Sequence, residues 1–225
     1  MKTTRTMILA AALLAASGAT VNAQPETRAE LPDANGWVKL FEGDGLSGWT
    51  TPDPGDWQMA DGVLTGRGKT SHLFSPNTYT NLEFRAEIRL NHAGNSGMYI
   101  RARYGNGWPR GYETQVENTS SDPQRTGSLY GIKKNFKQLV EDDTWWTQHV
   151  IAIGDRIIVK VNETIVVDTR HERYKSGHLV LQQHDPGSVV EYRNVMVKRL
   201  SDDQDKALAE ARRDMPDIGK EPLVP

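Results

Sequence analysis

Gly111-Tyr112-Glu113-Thr114-Gln115-Val116-Glu117 alternates residue by residue. Successive side chains of a β-strand point to opposite faces, so a strand here puts Tyr112, Thr114 and Val116 on one face and Glu113, Gln115 and Glu117 on the other. One face can pack, and the other is a row of two carboxylates and an amide. Working outward, Asn95-Ser96-Gly97-Met98-Tyr99-Ile100-Arg101-Ala102-Arg103 repeats the design: Met98, Ile100 and Ala102 are apolar, and Tyr99, Arg101 and Arg103 face the other way. Leu82–Leu90 alternates more cleanly still, with Leu82, Phe84, Ala86, Ile88 and Leu90 inward and Glu83, Arg85, Glu87 and Arg89 outward. Polar rows on two strands of one sheet suit a wet concave face that receives a hydroxyl-rich ligand. The same rows serve equally well as the solvated outer face of a sandwich.

Turn signals punctuate the chain from Trp37 to Leu200. Residues 37–41 open it, and Asp61-Gly62 breaks residues 57–64 into a hairpin. Trp146–Ile153, Arg156–Val161 and residues 164–168, joined by Gly154-Asp155 and Asn162-Glu163, form a meander. Residues 177–184 and 189–200 finish the pattern, the last with an uneven period that predicts a bulge. Helix signals wait until Ser201-Asp202-Asp203-Gln204, spaced as a capping box ahead of residues 205–213 and stopped by Pro216. That predicts a short exposed helix and a loose tail. Many short strands between Gly and Pro turns predict an all-β sandwich of two antiparallel sheets.

Of the 225 residues, the first 23 have the make-up of an export signal. Lys2 and Arg5 precede the apolar run of residues 7–16, and Val21-Asn22-Ala23 offers a small-x-small cleavage site after Ala23. The run is too short to span a bilayer, and no later stretch is long and apolar enough. A periplasmic or secreted protein is expected, with a polar linker at residues 24–36, one domain at residues 37–200 and a tail at residues 201–225. The chain has no cysteine, which excludes disulfides, thiolate metal sites and cysteine nucleophiles. A net charge of -2 with both signs interspersed gives no basic footprint for nucleic acid.

The Glu113-x-Gln115-x-Glu117 spacing resembles the E-x-D-x-E strand of retaining β-sandwich glycosidases, where two carboxylates flank the scissile bond about 5 Å apart. Here the middle position is an amide, and Glu113 and Glu117 would lie roughly 13 Å apart on a regular strand. Arg101 and Arg103 could hold a carbonyl or a pair of hydroxyls with their fork of donors, or pair with Glu113 or Glu117 across the sheet. In Leu179-Val180-Leu181-Gln182-Gln183-His184, Gln182 and His184 share the face opposite Leu179 and Leu181. His184 stands beside the Pro186-Gly187 turn, and an imidazole suits proton transfer near neutrality. A histidine beside a turn is also an ordinary surface residue. Tyr130, in the Gly-flanked loop Thr126-Gly127-Ser128-Leu129-Tyr130-Gly131, could reach a ligand or pack a corner. No nucleophile elbow and no phosphate loop is present.

Taken in order, Leu40-Phe41-x-Gly43-x-Gly45-Leu46-Ser47-Gly48-Trp49, Asn95-Ser96-Gly97-x-Tyr99-x-Arg101, Gly111-Tyr112-Glu113-x-Gln115, Thr126-Gly127-Ser128-Leu129-Tyr130, Gly177-His178-Leu179-x-Leu181-Gln182-x-His184 and Tyr192-Arg193-Asn194-Val195 resemble the 3-keto-disaccharide hydrolase family. The resemblance covers Trp37 to Leu200. It implies a concanavalin-like jelly roll acting on oxidised (3-keto) glycosides or disaccharides. A ketone at C3 acidifies the C2 hydrogen; a base removes it, the enolate expels the C1 substituent, and water adds to the product. On that resemblance Glu113 and His184 are expected as the base and the acid, in either order, and Arg101 as stabiliser of the enolate oxygen. Gln115, Tyr130 and Gln182 are expected to hold hydroxyls. Glu117 lies outside the motifs and is expected to be structural. No dedicated metal ligand set is evident, although Glu113, His184 and substrate oxygens could share a divalent cation. A retaining β-glycosidase and a non-catalytic carbohydrate-binding module are the rival expectations.

Overall fold

The alternating segments form strands in the computed structural model, which describes residues 20–21, 25–41, 43, 45–46 and 48–224. Along the chain these are β1 (Thr20–Val21), β2 (Trp37–Lys39), β3 (Thr50–Thr51), β4 (Asp56–Ala60), β5 (Val63–Arg67), β6 (Ser71–Tyr79), β7 (Leu82–Leu90), β8 (Asn95–Arg103), β9 (Arg110–Glu117), β10 (Trp146–Ile153), β11 (Arg156–Val161), β12 (Thr164–Arg170), β13 (Gly177–Gln183) and β14 (Val190–Arg199), followed by helix α1 (Gln204–Asp214). One sheet runs β1-β3-β6-β13-β8-β9. The other runs β12-β11-β10-β7-β14-β5-β4, with β2 added on β14. Apart from β1 with β3, which are parallel, neighbours are antiparallel. The result is the expected all-β jelly-roll sandwich. The export signal read at residues 1–23 lies outside the described residues, save for Thr20–Val21.

The core fills the space between the sheets. Leu82, Phe84, Ala86, Ile88 and Leu90 of β7 face Met98, Ile100, Tyr112, Val116, Leu179 and Leu181 of the opposite sheet. Each buried Leu, Ile, Val, Phe or Met among these contributes roughly 1.5–3 kcal/mol of transfer free energy. Trp49 and Trp57 belong to this core, and Trp37 is buried at its edge, so all three early tryptophans are structural. The Asp61-Gly62 hairpin forms with both residues at positive φ, the geometry of a tight primed turn. The bulge expected in the last strand falls between Arg193 and Met196, where Asn194 turns to a φ of 49°.

Several expectations are overturned. One face of the helix is buried and the tail is not loose. Val150-Ile151-Ala152-Ile153 is apolar on both faces, which is the mark of a strand buried on both sides. Ile151, Ile153, Ile158 and Ile165 on the outer face are covered by Ala207, Ala211, Met215 and Ile218. Beyond the helix, the Leu223 and Val224 amides donate to the Ile165 and Val166 carbonyls at 2.9 Å. The helix is capped by Asp203, not Ser201: the Asp203 carboxylate accepts from the Lys206 amide at 3.0 Å. Nor does Glu83 face water. It is fully buried, 2.9 Å from His149 and 3.8 Å from Lys198. The segment read as a linker is tethered as well, since Glu30 accepts from the Tyr79 hydroxyl at 2.5 Å and from Arg199 at 2.7 Å.

Strand β6 carries no clean signal in the sequence because Pro76 interrupts it, and proline within a sheet is confined to edges and bulges. The pairing with β13 shifts between His178 and Val180, opposite Pro76, so the proline sits where the ladder is already broken. That strand supplies one wall of the site.

Candidate active site

Opposite the core, the outer face of the six-stranded sheet carries a cavity of about 350 Å³. Its floor is the row of side chains that alternation sends outward. Glu113 on β9 lies opposite Tyr99 on β8, and Gln115 lies opposite Gly97. Gln182, on the next strand, donates from Nε2 to the Tyr99 hydroxyl at 2.8 Å. Gly97 makes room for the carboxylate: a Cβ there would stand 2.6 Å from Glu113 Oε1. The loop after β9 folds back along that strand, with the Tyr130 amide donating to the Glu113 carbonyl at 2.9 Å and the Gln115 amide to the Ser128 carbonyl at 2.9 Å. Tyr130 thereby reaches the rim, where its hydroxyl donates to Asp122 Oδ2 at 2.8 Å. The other oxygen of Asp122 accepts from the Gln124 amide at 2.8 Å. His184 closes the opposite wall. Its Nδ1 lies 2.9 Å from Asp185 Oδ2, its carbonyl accepts from Thr70, and its ring centroid is 5.2 Å from that of Trp108.

Burial pushes the Glu113 carboxyl up to about 7; the neighbouring Tyr99 hydroxyl and Gln182 amide favour its charge without offsetting that cost, and Asp122 adds repulsion. A carboxyl poised there can take and return a proton at neutral pH. Burial works against charge on Asp185 too, but bonds from His184, the Gly187 amide and Ser188 outweigh it and hold that carboxyl below its usual range. Asn95 Oδ1, Gln115 Oε1 and Gln182 Oε1 are buried without a hydrogen-bond partner. All three residues line the cavity. Buried polar atoms are seldom left this way, and ligand hydroxyls are the complementary donors.

Five of the six expected site residues therefore meet in one place: Glu113, Gln115, Tyr130, Gln182 and His184. Arg101 does not join them. It is 1% exposed at a φ of 53°, inside the register shift between Ile100 and Arg103. The bulge breaks the alternation, moves Ala102 to the outer face beside Tyr99, and turns the guanidinium away. Arg101 donates instead to the carbonyls of Thr80 at 2.8 Å, Gly154 at 2.7 Å and Tyr174 at 3.2 Å. It is a structural clasp, and Arg101→Met is expected to cost about 3 kcal/mol by orphaning buried carbonyls. Chemical denaturation checks this, with kcat of the folded variant remaining within a few-fold of the parent.

Glu117 is also outside the cavity, fully buried and held by Arg125 at 2.5 Å and by the Ser120 amide, as a structural residue would be. Sequence reading misses His72 on β6. Burial pushes this imidazole down to about 4, so it is neutral at pH 7, and its Nε2 lies 3.5 Å from the Gln182 amide. The alternation Ser71-His72-Leu73-Phe74 could have placed it, had Pro76 not masked the strand. Trp108 is 60% exposed and lines the mouth, its ring 5.4 Å from His72. Among the described residues no three His, Cys, Asp or Glu side chains gather as metal ligands, and no helix is long and apolar enough to cross a membrane.

Solved structures share this architecture. A protein of Parabacteroides distasonis assigned provisionally as a glycosyl hydrolase aligns with a TM-score of 0.67 at 22% identity, over 75% of this chain and 95% of its own. A second from the same organism aligns with a TM-score of 0.62 at 19% identity, over 73% and 99%. The carbohydrate-binding module CBM66 of Bacillus subtilis aligns with a TM-score of 0.54 at 16% identity, over 67% and 94%. Identities this low speak to the fold alone. Among curated proteins none matches the sequence. The model of the 3-keto-alpha-glucoside-1,2-lyase-like domain matches residues 36–198, a span that runs from β2 into β14 and holds every residue named in the cavity, and the chain belongs to that family.

Proposed function

We propose that this cavity cleaves 3-keto-glycosides or 3-keto-disaccharides by elimination and hydration, in a protein exported by its N-terminal leader. One observation carries the reading. Glu113, brought to about 7 by burial, stands among amides and a histidine, while the other lining carboxylate, Asp122, has both oxygens engaged. A retaining glycosidase needs two carboxylates at work, one of them free to form a bond to C1. An elimination needs one base, one acid and donors for an enolate.

Glu113 takes the proton from C2, and the electron pair forms the enolate of the C3 ketone. Amide N–H groups of Gln115 and Asn95, which line the cavity with that base, take the stabilising role that the sequence suggested for Arg101. The enolate collapses, the C3 carbonyl re-forms, and the C1–O bond breaks. His184, with Nδ1 committed to Asp185, protonates the departing oxygen from Nε2. Water then adds at C1, its proton passes to His184, and C2 regains a proton from Glu113. The net change is hydrolysis. Tyr130 and Gln182 bind hydroxyls.

The test is incubation of the purified protein with a 3-keto-glucoside and with the matching plain glucoside, following aglycone release by chromatography. Release from the keto substrate alone is expected. Release from the plain glucoside would move the case to a retaining glycosidase, and binding with release from neither would leave a carbohydrate-binding module.

A further inference from the structure

Beside the cavity, at the tip of the β8–β9 hairpin, lies a second cleft of about 260 Å³, lined by Arg103, Tyr104, Gly105, Asn106, Trp108 and Arg110. Trp108 borders both spaces. One indole is thus a common wall of the two spaces.

Two observations about the arginines stand out. Arg103 and Arg110 are direct cross-strand partners. Like charges placed opposite one another on a sheet repel and cost stability. No carboxylate offsets this pair: among the described residues neither side chain makes a hydrogen bond, an ion pair or a ring contact, and both are exposed. That is unlike the arginines around them. Arg67, Arg89, Arg125, Arg156, Arg170, Arg193 and Arg199 each bind a carboxylate, and Arg101 binds three carbonyls. Among the described residues Arg85, Arg173, Arg212 and Arg213 also bind no carboxylate, but Arg85 and Arg173 lie over aromatic rings and Arg212 and Arg213 sit in the last turn of α1, whereas Arg103 and Arg110 line a cleft at the mouth of the cavity.

We propose that this cleft is an aglycone subsite for an oxyanion, a carboxylate or phosphate carried by the leaving group. The inference rests on the proposed 3-keto-glycoside chemistry and narrows its substrates to glycosides with an anionic aglycone. Two arginines rooted at directly paired strand positions can bring two guanidinium forks to the oxygens of such a group, and charge-assisted bonds of this kind are shorter and stronger than neutral ones. The main-chain turn supports the placement. Gly107, at a φ of 74°, donates its amide to Asp53 Oδ2 at 2.9 Å, which fixes the loop that presents Trp108 between the two spaces.

The first experiment needs no turnover. Binding of 4-hydroxybenzoate, phenyl phosphate and phenol to the full chain and to R103Q/R110Q is followed by NMR line-shape titration at about 20 mM and about 300 mM salt. At least one of the two anions is expected to bind roughly tenfold or more tighter than phenol at low salt, an advantage that shrinks at high salt through screening and vanishes in the double variant. Which anion binds better separates a carboxylate from a phosphate ligand. Equal affinity for all three compounds, or a preference that survives in R103Q/R110Q, would overturn the subsite. Both positions are exposed, so the double variant is expected to fold with an unchanged or slightly raised Tm. In the second experiment, kcat/KM is compared for the 3-keto-glucosides of 4-hydroxybenzoate and phenol, and the ratio between the two substrates is expected to fall about tenfold in the variant. Anion binding without turnover of either glycoside would sink the 3-keto chemistry and leave the anion site standing. Turnover of both with no charge preference would do the reverse.

Discussion

Glu113→Gln lowers kcat/KM on a 3-keto-glucoside by about a hundredfold or more, because the amide cannot accept the C2 proton. The pH profile gives a sharper result. A base must be ionised to act, and burial has brought this carboxyl up to about 7. The parent rate is therefore expected to rise with pH and level off above about 7, and the variant's residual rate is expected to lack that limb. Stability moves the other way. The folded protein holds Glu113 protonated to a higher pH than the unfolded chain does, where the ordinary value is 4.5. Between those two values the unfolded state ionises first, so this group costs folding free energy progressively as pH rises, and the full cost is present above about 7. Glu113→Gln removes that cost, giving a gain on the order of 2 kcal/mol at pH 8 that shrinks toward pH 4. A variant that is less active and more stable at alkaline pH marks a carboxylate kept for chemistry. Loss of both activity and stability, with the pH limb intact, would assign the residue to the framework instead.

The strands that build the cavity floor were legible because their periods are clean. Tyr112, Thr114 and Val116 go to the core, and Glu113 and Gln115 go to the face, as a period of two requires. Leu179 and Leu181 fix Gln182 on the opposite face by the same rule. What was not legible traces to places where the period breaks or continues through both faces. A single residue at positive φ displaced Arg101 from the row its spacing assigned to it, and nothing in Tyr99-Ile100-Arg101-Ala102 announces that bulge. Pro76 concealed a whole strand and with it His72. The covered outer face of β10–β12 was written in the unbroken run of Val150-Ile151-Ala152-Ile153, but only the partner helix gives the run its meaning. Partnerless side chains are the hardest feature to read from sequence. The free amide oxygens of Asn95, Gln115 and Gln182 exist only after three strands have come together.

His184→Ala is the second large effect, and it is expected to depend on the leaving group. Proton donation matters in proportion to how poor the departing oxygen is. For an alkyl 3-keto-glucoside, whose alkoxide leaves badly, loss of the acid is expected to lower kcat by about a hundredfold or more. For a 4-nitrophenyl 3-keto-glucoside, whose phenolate leaves unaided, the loss is expected to be only a few-fold. Glu113→Gln, by contrast, damages both substrates alike, since C2 must lose its proton in either case. The geometry makes His184 suited to this part. Its Nδ1 is tied to Asp185 at 2.9 Å, its carbonyl is held by Thr70 at 2.6 Å, and its ring lies against Trp108, so one nitrogen is fixed and the other is left for the ligand. Asp185→Asn tests the orienting bond separately. It removes the charge and replaces one of the two acceptor oxygens by a donor while leaving the imidazole in place, and about a tenfold loss confined to the alkyl substrate is expected. A His184→Ala variant that slows both substrates equally, with Asp185→Asn doing nothing, would show the imidazole to be a wall of the cavity and would pass the acid's role to Tyr130, the other rim group with a proton to give.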